Sequence, residues 1–197
     1  MSRIRTALLA VVLAALVSPV ALGASTPESP HAVLSDAARA HTYAGAMTAR
    51  WRSLLESEVP RANLYLGMSK GDEPQPLLYA VAATTAQGRP VERPDGSIVA
   101  ASCRPGSCEE RGLIWVSNDG VVAGAIVHFY YGDPKAPMSP SLLLWSRDVS
   151  ANALPHGFVM ALTEWLRQPV TSAGFKAIRM TGRGGATIDV TPRQLLP

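Results

Sequence analysis

The pair Cys103 and Cys108 constrains this chain more than any other feature, because these are the only two cysteines among 197 residues. Four residues separate them, and a strand-like apolar run lies on each side. Between them, Pro105 restricts one backbone dihedral angle and Gly106 permits a positive φ, as a short closed loop requires. The pattern predicts a tight loop that protrudes from the end of a sheet.

The first residues of the chain have the composition of an export signal. Arg3 and Arg5 form a positive segment, an apolar run too short to span a bilayer follows, and small residues precede a cleavage position. The sequence therefore predicts a signal peptide at 1–23 and a flexible leader at 24–33. We expect a periplasmic, or otherwise secreted, mature protein with no membrane span, a setting in which the two cysteines bond to each other.

Closing a ring of six residues stabilises a fold by roughly 2 kcal/mol, which is modest for a domain of this size. Two interpretations follow for the loop of Arg104, Pro105, Gly106 and Ser107. It either presents a rigid shape to a partner, or it only staples a turn.

Charge gives no sign of a nucleic-acid partner. The whole chain has 18 basic and 15 acidic residues. Without Arg3 and Arg5, 16 basic residues face 15 acidic ones, a formal net charge of +1. A balance so close to neutral provides no electrostatic footprint for nucleic acid.

The remaining periodicity predicts an α+β fold with an antiparallel sheet of about five strands and two helices packed against it. One long helix is expected from Ser35 to the residue before Pro60, and a second from 153 to 167, capped by Asn152. The apolar run 77–84 fits a strand or a buried helix, and the turn formers after it favour a strand. Asp119-Gly120 predicts a hairpin turn. Two late strand-like runs around 182–185 predict a C-terminal hairpin.

The sequence contains no recognisable catalytic pattern. The cysteine spacing differs from the two-residue spacing of redox sites, and motifs such as Gly-x-Ser-x-Gly are missing from the sequence. No pair among the histidines has zinc-ligand spacing; these are His31, His41, His128 and His156. We therefore expect a protein that is not an enzyme and uses no cofactor or metal.

The cysteine loop resembles one known family. The segment runs Ser102-Cys103-Arg104-Pro105-Gly106-Ser107-Cys108, then Arg111, an apolar strand with Trp115, and Ser117. It is similar to the inhibitor of vertebrate lysozyme (Ivy) family, which carries Cys-Lys-Pro-His-Asp-Cys before an arginine and an apolar strand. The similarity spans an Ivy-like domain at 34–168 and leaves a C-terminal extension at 169–197. A strand with Leu and Trp at 142–145 and a late helix with Leu162-Thr163 agree with the family order.

The resemblance implies a periplasmic inhibitor whose disulfide loop enters the cleft of a c-type lysozyme. In such inhibitors the loop His lies against the two catalytic carboxylates, which excludes the sugar and disturbs their protonation. Here Gly106 replaces that His and Ser107 replaces the Asp. Arg104, in place of Lys, is expected to compensate through a charge-assisted bond to a carboxylate.

Two functions follow. The first is inhibition of c-type lysozyme or a related peptidoglycan-cleaving glycosidase through the loop 104–107, with Cys103 and Cys108 as its staple. The alternative is a non-inhibitory periplasmic binding or envelope-maintenance module on the same scaffold, in which Gly106 only preserves the turn. A homodimer is compatible with either.

Overall fold

A computed structural model describes residues 28–64, 74–129, 140–167, 175 and 177–195. The expected signal peptide at 1–23 lies outside the described residues, as do positions 24–27 of the expected leader. Positions 30–33, also assigned to that leader from the sequence, form the start of the first helix instead.

The described residues form four α-helices and nine strands, with two short 3₁₀ turns at Ala44–Met47 and Pro192–Leu195. The helices are α1 Pro30–Arg39, α2 Thr48–Glu58, α3 Leu77–Thr85 and α4 His156–Leu166. The strands are β1 Asn63–Leu64, β2 Gln75–Pro76, β3 Val91–Glu92, β4 Ile98–Arg104, β5 Ser107–Val116, β6 Val122–Phe129, β7 Pro140–Ser146, β8 Ala177–Thr181 and β9 Thr187–Asp189. None of these helices has both the length and the apolar character that a membrane span needs.

The main sheet contains seven strands in the order β3-β4-β5-β6-β7-β8-β9, and β1 pairs only with β2. Neighbours run antiparallel except β7 and β8, which are parallel. The α+β class is confirmed, but the expectation of about five antiparallel strands is wrong. The predicted C-terminal hairpin is β8–β9, and it extends the main sheet because β8 pairs with β7. Met180 and Val190 are buried in the core.

Helices cover both faces of the sheet. Successive residues of β5 show this, since Ile114 and Val116 pack with α1, α2 and α3, whereas Leu113 and Trp115 pack with α4. A strand covered on both faces is expected to contain a continuous apolar run, and in β5 this run is Leu113 to Val116. Burial of β5 is uninterrupted from Glu110 to Val116. The protein is therefore a three-layer arrangement with the sheet in the middle.

The first predicted helix is wrong in its extent, because it is two helices. The chain leaves α1 through His41, a non-glycine residue with φ of 50°. The amides of Ala44 and Gly45 then donate to the carbonyl oxygens of Gly88 and Ala86, at 2.9 and 2.8 Å. The local periodicity favours one continuous helix, but these contacts with a distant part of the chain keep α1 and α2 separate.

The segment 77–84, for which a strand was favoured, is the helix α3. Leu77, Ala80, Val81 and Thr84 are buried on one side of it, at the spacing of a helix face. The hydroxyl of Thr84 donates to the carbonyl oxygen of Ala80 at 2.8 Å, so its polar atom is satisfied within the helix. The expected number of two helices is therefore corrected to four in the described residues.

The last helix, α4, begins later than its predicted start at Ala153. Pro155 occupies the N-cap position and His156 is the first helical residue. A residue that precedes a proline is disfavoured in helical conformation, which keeps Leu154 out of the helix. The predicted cap, Asn152, therefore lies outside the helix that it was expected to begin.

Candidate functional site

The cysteine loop is the tip of the hairpin formed by β4 and β5. Arg104 pairs with Ser107 across the turn, and Pro105 and Gly106 are its two central residues. Gly106 has φ of 81°. A proline followed by a residue with positive φ suits a type II turn, which explains why glycine occupies the second position.

A large bulge separates this turn from the rest of the hairpin. The ladder pairs Cys103 with Arg111 and then moves directly to Arg104 with Ser107. Three residues of β5, Cys108 to Glu110, therefore have no partner on β4. The disulfide Cys103–Cys108, with 4.6 Å between its Cα atoms, links the two strands across this bulge. The covalent bond closes the tip where the backbone ladder is interrupted.

The tip stands clear of the rest of the protein. Pro105, Gly106, Cys108 and Glu109 are all exposed. A methyl group added at Gly106 would meet no other atom within 4 Å. A covalently closed and unburied turn at the end of a sheet is accessible to a concave partner.

Arg104 is bound to a carboxylate of its own chain. Its Nη1 donates to Oε2 of Glu110 at 2.6 Å, and the two side chains are 30% and 10% exposed. The hydrogen bond that Arg104 donates to Glu110 raises the pKa of Arg104 above its ordinary value. The sequence suggested that Arg104 is available for a carboxylate of a target, but this ion pair satisfies much of its charge within the hairpin.

Close backbone packing holds the base of the hairpin against α3. Gly112 lies where a Cβ atom would collide with the side chain of Thr84, so only glycine fits this approach. The hydroxyl of Ser102 donates to the carbonyl oxygen of Thr84 at 2.8 Å. The hairpin is therefore attached to a helix as well as to the sheet, which limits how far its tip can swing.

One exposed aromatic residue near the site is not apparent in the sequence. Tyr79 lies on α3, is 55% exposed, and lies near Arg104. A strand at 77–84 would not bring it beside the hairpin in this way. The usable signal is the helical spacing of Leu77, Ala80 and Val81, which leaves Tyr79 off the buried face.

The arginine that follows the loop, Arg111, is buried on the opposite face of the sheet. Its guanidinium carbon lies 4.7 Å from the ring centroid of Trp165, the residue before the last in α4. Arg111 is 5% exposed, and burial lowers its pKa from the ordinary value. Unlike Arg104, it faces an aromatic ring rather than a carboxylate.

The described parts of the chain contain no group of three or more His, Cys, Asp or Glu side chains that could hold a metal ion. The histidines lie on separate elements. His31 on α1 hydrogen-bonds through Nε2 to the carbonyl oxygen of Gly96 at 3.0 Å, and His128 lies on β6. His156 begins α4, and His41 lies after α1. The structure does not bring these histidines together.

Comparison with family models, curated proteins and solved structures finds no match to this chain.

Proposed function

We propose that this protein inhibits a lysozyme-type glycosidase by inserting the β4–β5 hairpin tip into the substrate cleft. One observation carries the proposal: the six-residue ring from Cys103 to Cys108 is closed by a disulfide and stands free of other atoms at Gly106. A ring that is already rigid loses little conformational entropy when it binds. The resemblance of the loop to the Ivy family supplies the class of target.

The chemistry of the tip suits a plug that excludes sugar. Arg104 is paired with Glu110, and Gly106 has no side chain, so the groups at the very end are backbone amides and the Ser107 hydroxyl. These groups can hydrogen-bond a catalytic carboxylate, which takes part in glycoside hydrolysis as acid, base or nucleophile. Inhibition by such a tip depends on shape and on neutral hydrogen bonds more than on charge.

The proposal includes export. The segment 1–23 has signal-peptide composition, and the Cys103–Cys108 disulfide is compatible with an oxidising compartment. Peptidoglycan and the enzymes that cut it also lie outside the cytoplasm. We therefore place the inhibitor in the periplasm or outside the cell.

The test is a titration of the mature protein, residues 24–197, into an assay of peptidoglycan cleavage by c-type lysozyme. Wild type is expected to slow cleavage, and Gly106→His to inhibit at least tenfold more tightly because it adds an imidazole that can contact the carboxylates. Gly106→Ala is the matched control, since it carries the same cost of roughly 1–2 kcal/mol for a side chain at positive φ. The proposal fails if the wild-type protein at high micromolar concentration neither binds nor slows the enzyme.

The ion pair between Arg104 and Glu110 favours a second candidate, a non-inhibitory periplasmic binding or envelope-maintenance module. With its cation compensated and glycine at position 106, the tip has no free charge directed at a pair of carboxylates. Such a module would bind an envelope component through the tip and leave glycosidase rates unchanged. Loss of that binding in Cys103→Ser/Cys108→Ser, with no effect on cleavage by any protein in the series, would favour the module over the inhibitor.

A further inference from the structure

Arg111 is a buried cation that plays no part in the proposed function of the hairpin. It is 95% removed from solvent, and its Nε has no hydrogen-bond acceptor among the residues that the structure describes. No ion pair joins it to any carboxylate in the described ranges. Arg179 and Arg183, which are more than half exposed, do have carboxylate partners. Among the described residues, the most buried arginine therefore has no carboxylate partner.

An unpaired buried charge is costly, because a guanidinium taken out of water loses hydration free energy that only partners can replace. Burial lowers the pKa of Arg111, but arginine is protonated at any physiological pH. The ring of Trp165 offers a cation–π contact, which is stronger when the cation is removed from water. The contact covers the flat face of the guanidinium and leaves its edge, where the N–H groups point, without a described acceptor.

Arg111 lies at the hairpin end of the molecule. Its ladder partners are Cys103 on β4 and Val127 on β6, so it lies at the base of the disulfide-linked bulge. Trp165 is in the last turn of α4, whose end lies at the same end of the sheet. A ligand bound there would lie beside the hairpin, on the face opposite the pair of Arg104 and Glu110.

We propose that Arg111, stacked on Trp165, is the centre of an oxyanion-binding site that takes a carboxylate or phosphate group. Guanidinium edges bind both groups with two parallel N–H···O bonds, and the low polarity around Arg111 strengthens such bonds. The oxyanion is either a free small anion or an acidic side chain of a bound protein. This site does not depend on lysozyme inhibition and stands if that proposal fails.

The experiment measures thermal unfolding of the mature protein in inorganic phosphate, and separately in acetate, with ionic strength held constant by chloride. A saturable rise of about 5 °C is expected for wild type when the anion is far above its Kd. Arg111→Met should show no anion-dependent rise, and Arg111→Lys a weaker one. Arg104→Gln is the matched control, since it removes a cation near the same hairpin and should keep the full rise.

Circular dichroism establishes that each variant is folded. Tryptophan fluorescence provides a second readout, because an anion on Arg111 should change the Trp165 signal in wild type and not in Trp165→Phe. If phosphate and acetate both raise the unfolding temperature of wild type, free anions are ligands of the site. If neither anion raises the unfolding temperature, but an acidic peptide binds wild type more tightly than Arg111→Met, the ligand is a carboxylate of a partner protein.

The proposal is overturned if Arg111→Met responds to anions as wild type does, or if no anion and no acidic peptide distinguishes the two proteins.

Discussion

Arg104 and Glu110 contribute unequally to the stability of the hairpin because they are unequally buried. The side chain of Glu110 is 10% exposed, whereas that of Arg104 is 30% exposed. Removing the arginine leaves a buried carboxylate without its counter-charge, but removing the charge of the glutamate leaves an arginine that water can reach. The direction of the difference follows from which partner can be rehydrated.

We predict that Arg104→Ala lowers the free energy of unfolding by about 1–3 kcal/mol at pH 7, and that Glu110→Gln lowers it by less. Urea denaturation of the two single variants and of Arg104→Ala/Glu110→Gln measures both costs and their coupling. Equal costs for the two single variants, or additive costs in the double variant, would contradict this account of the pair.

Asp95 makes the stability of the β3–β4 turn depend on pH. Its Oδ1 accepts hydrogen bonds from the hydroxyl and the amide of Ser97 at 2.6 and 3.0 Å, and these bonds lower its pKa from the ordinary value of 3.8. A carboxyl group with a lowered pKa in the folded state stabilises the fold above its unfolded pKa. That contribution is lost as pH falls through the folded-state pKa.

We predict that wild type is more stable than Asp95→Asn at pH 7 and that this advantage shrinks progressively below pH 3.8. Thermal unfolding of both proteins between pH 7 and pH 2 measures the difference. Ser97→Ala should reduce the same pH-dependent advantage, since it removes one of the two donors. A difference that stays constant over the whole range would show that Asp95 acts only through packing.

At the scale of elements, the disulfide acts on the hairpin and leaves the two cores intact. Cys103 and Cys108 are outside both groups of buried apolar residues, which lie on either face of β4 to β8. The bond closes the bulge where the ladder of β4 and β5 is interrupted. Loss of the disulfide should therefore affect mainly the structure around the bulge.

We predict that Cys103→Ser/Cys108→Ser lowers the free energy of unfolding by roughly 2 kcal/mol and keeps the fold. Amide hydrogen exchange should become faster across the tip and the bulge, and should change little at the centre of the β6–β7 pair beyond this global loss. Exchange that accelerates uniformly along the chain, or no change at the tip, would show that the bond does not act where the bulge lies.

The turns of this fold are predictable from sequence, whereas the long-range choices are not. The Pro105-Gly106 and Asp119-Gly120 turns are confirmed, with φ of 81° and 90° at their glycines. Glycine and proline restrict the backbone at their own positions, so their effect does not depend on distant contacts. The apolar run 77–84 is compatible with both a strand and a helix. In the structure it is a helix whose Thr84 packs against Gly112.

The geometry of the candidate site is only partly predictable for the same reason. A loop closed by Cys103 and Cys108 follows from the spacing of two cysteines. The ion pair of Arg104 with Glu110 does not, because alternation along a regular strand fails where three residues of β5 bulge out. Arg111 beside Trp165 depends on where α4 crosses the sheet, which no local pattern indicates.

On the scale of the whole molecule, the C-terminal hairpin completes the sheet. Without β8, the backbone groups of β7 from Ser141 to Trp145 would lie at an open edge. An unpaired edge of buried apolar residues is a template for association with other chains. The strand β8, in the segment beyond the resemblance to the Ivy family, therefore protects β7.

We predict that deleting residues 169–197 produces a protein that aggregates or forms large oligomers at micromolar concentration. Size-exclusion chromatography with light scattering compares this deletion with the full chain. Deleting only residues 192–197 is the matched control, because both strands remain, and it should elute like the full chain. A deletion of 169–197 that is as soluble and as stable as the full chain would contradict a protective role.

The parallel pairing of β7 with β8 also bears on the order in which the strands fold. Strands β4 to β7 follow one another as antiparallel neighbours, but β8 reaches its place only after the chain has passed through α4. Contacts between segments close in sequence form sooner than those that need a long connection. We predict that the final strands dock after the rate-limiting step, so that Met180→Ala accelerates unfolding in stopped-flow experiments and leaves the refolding rate nearly unchanged. A refolding rate that falls with the loss of stability would contradict this order.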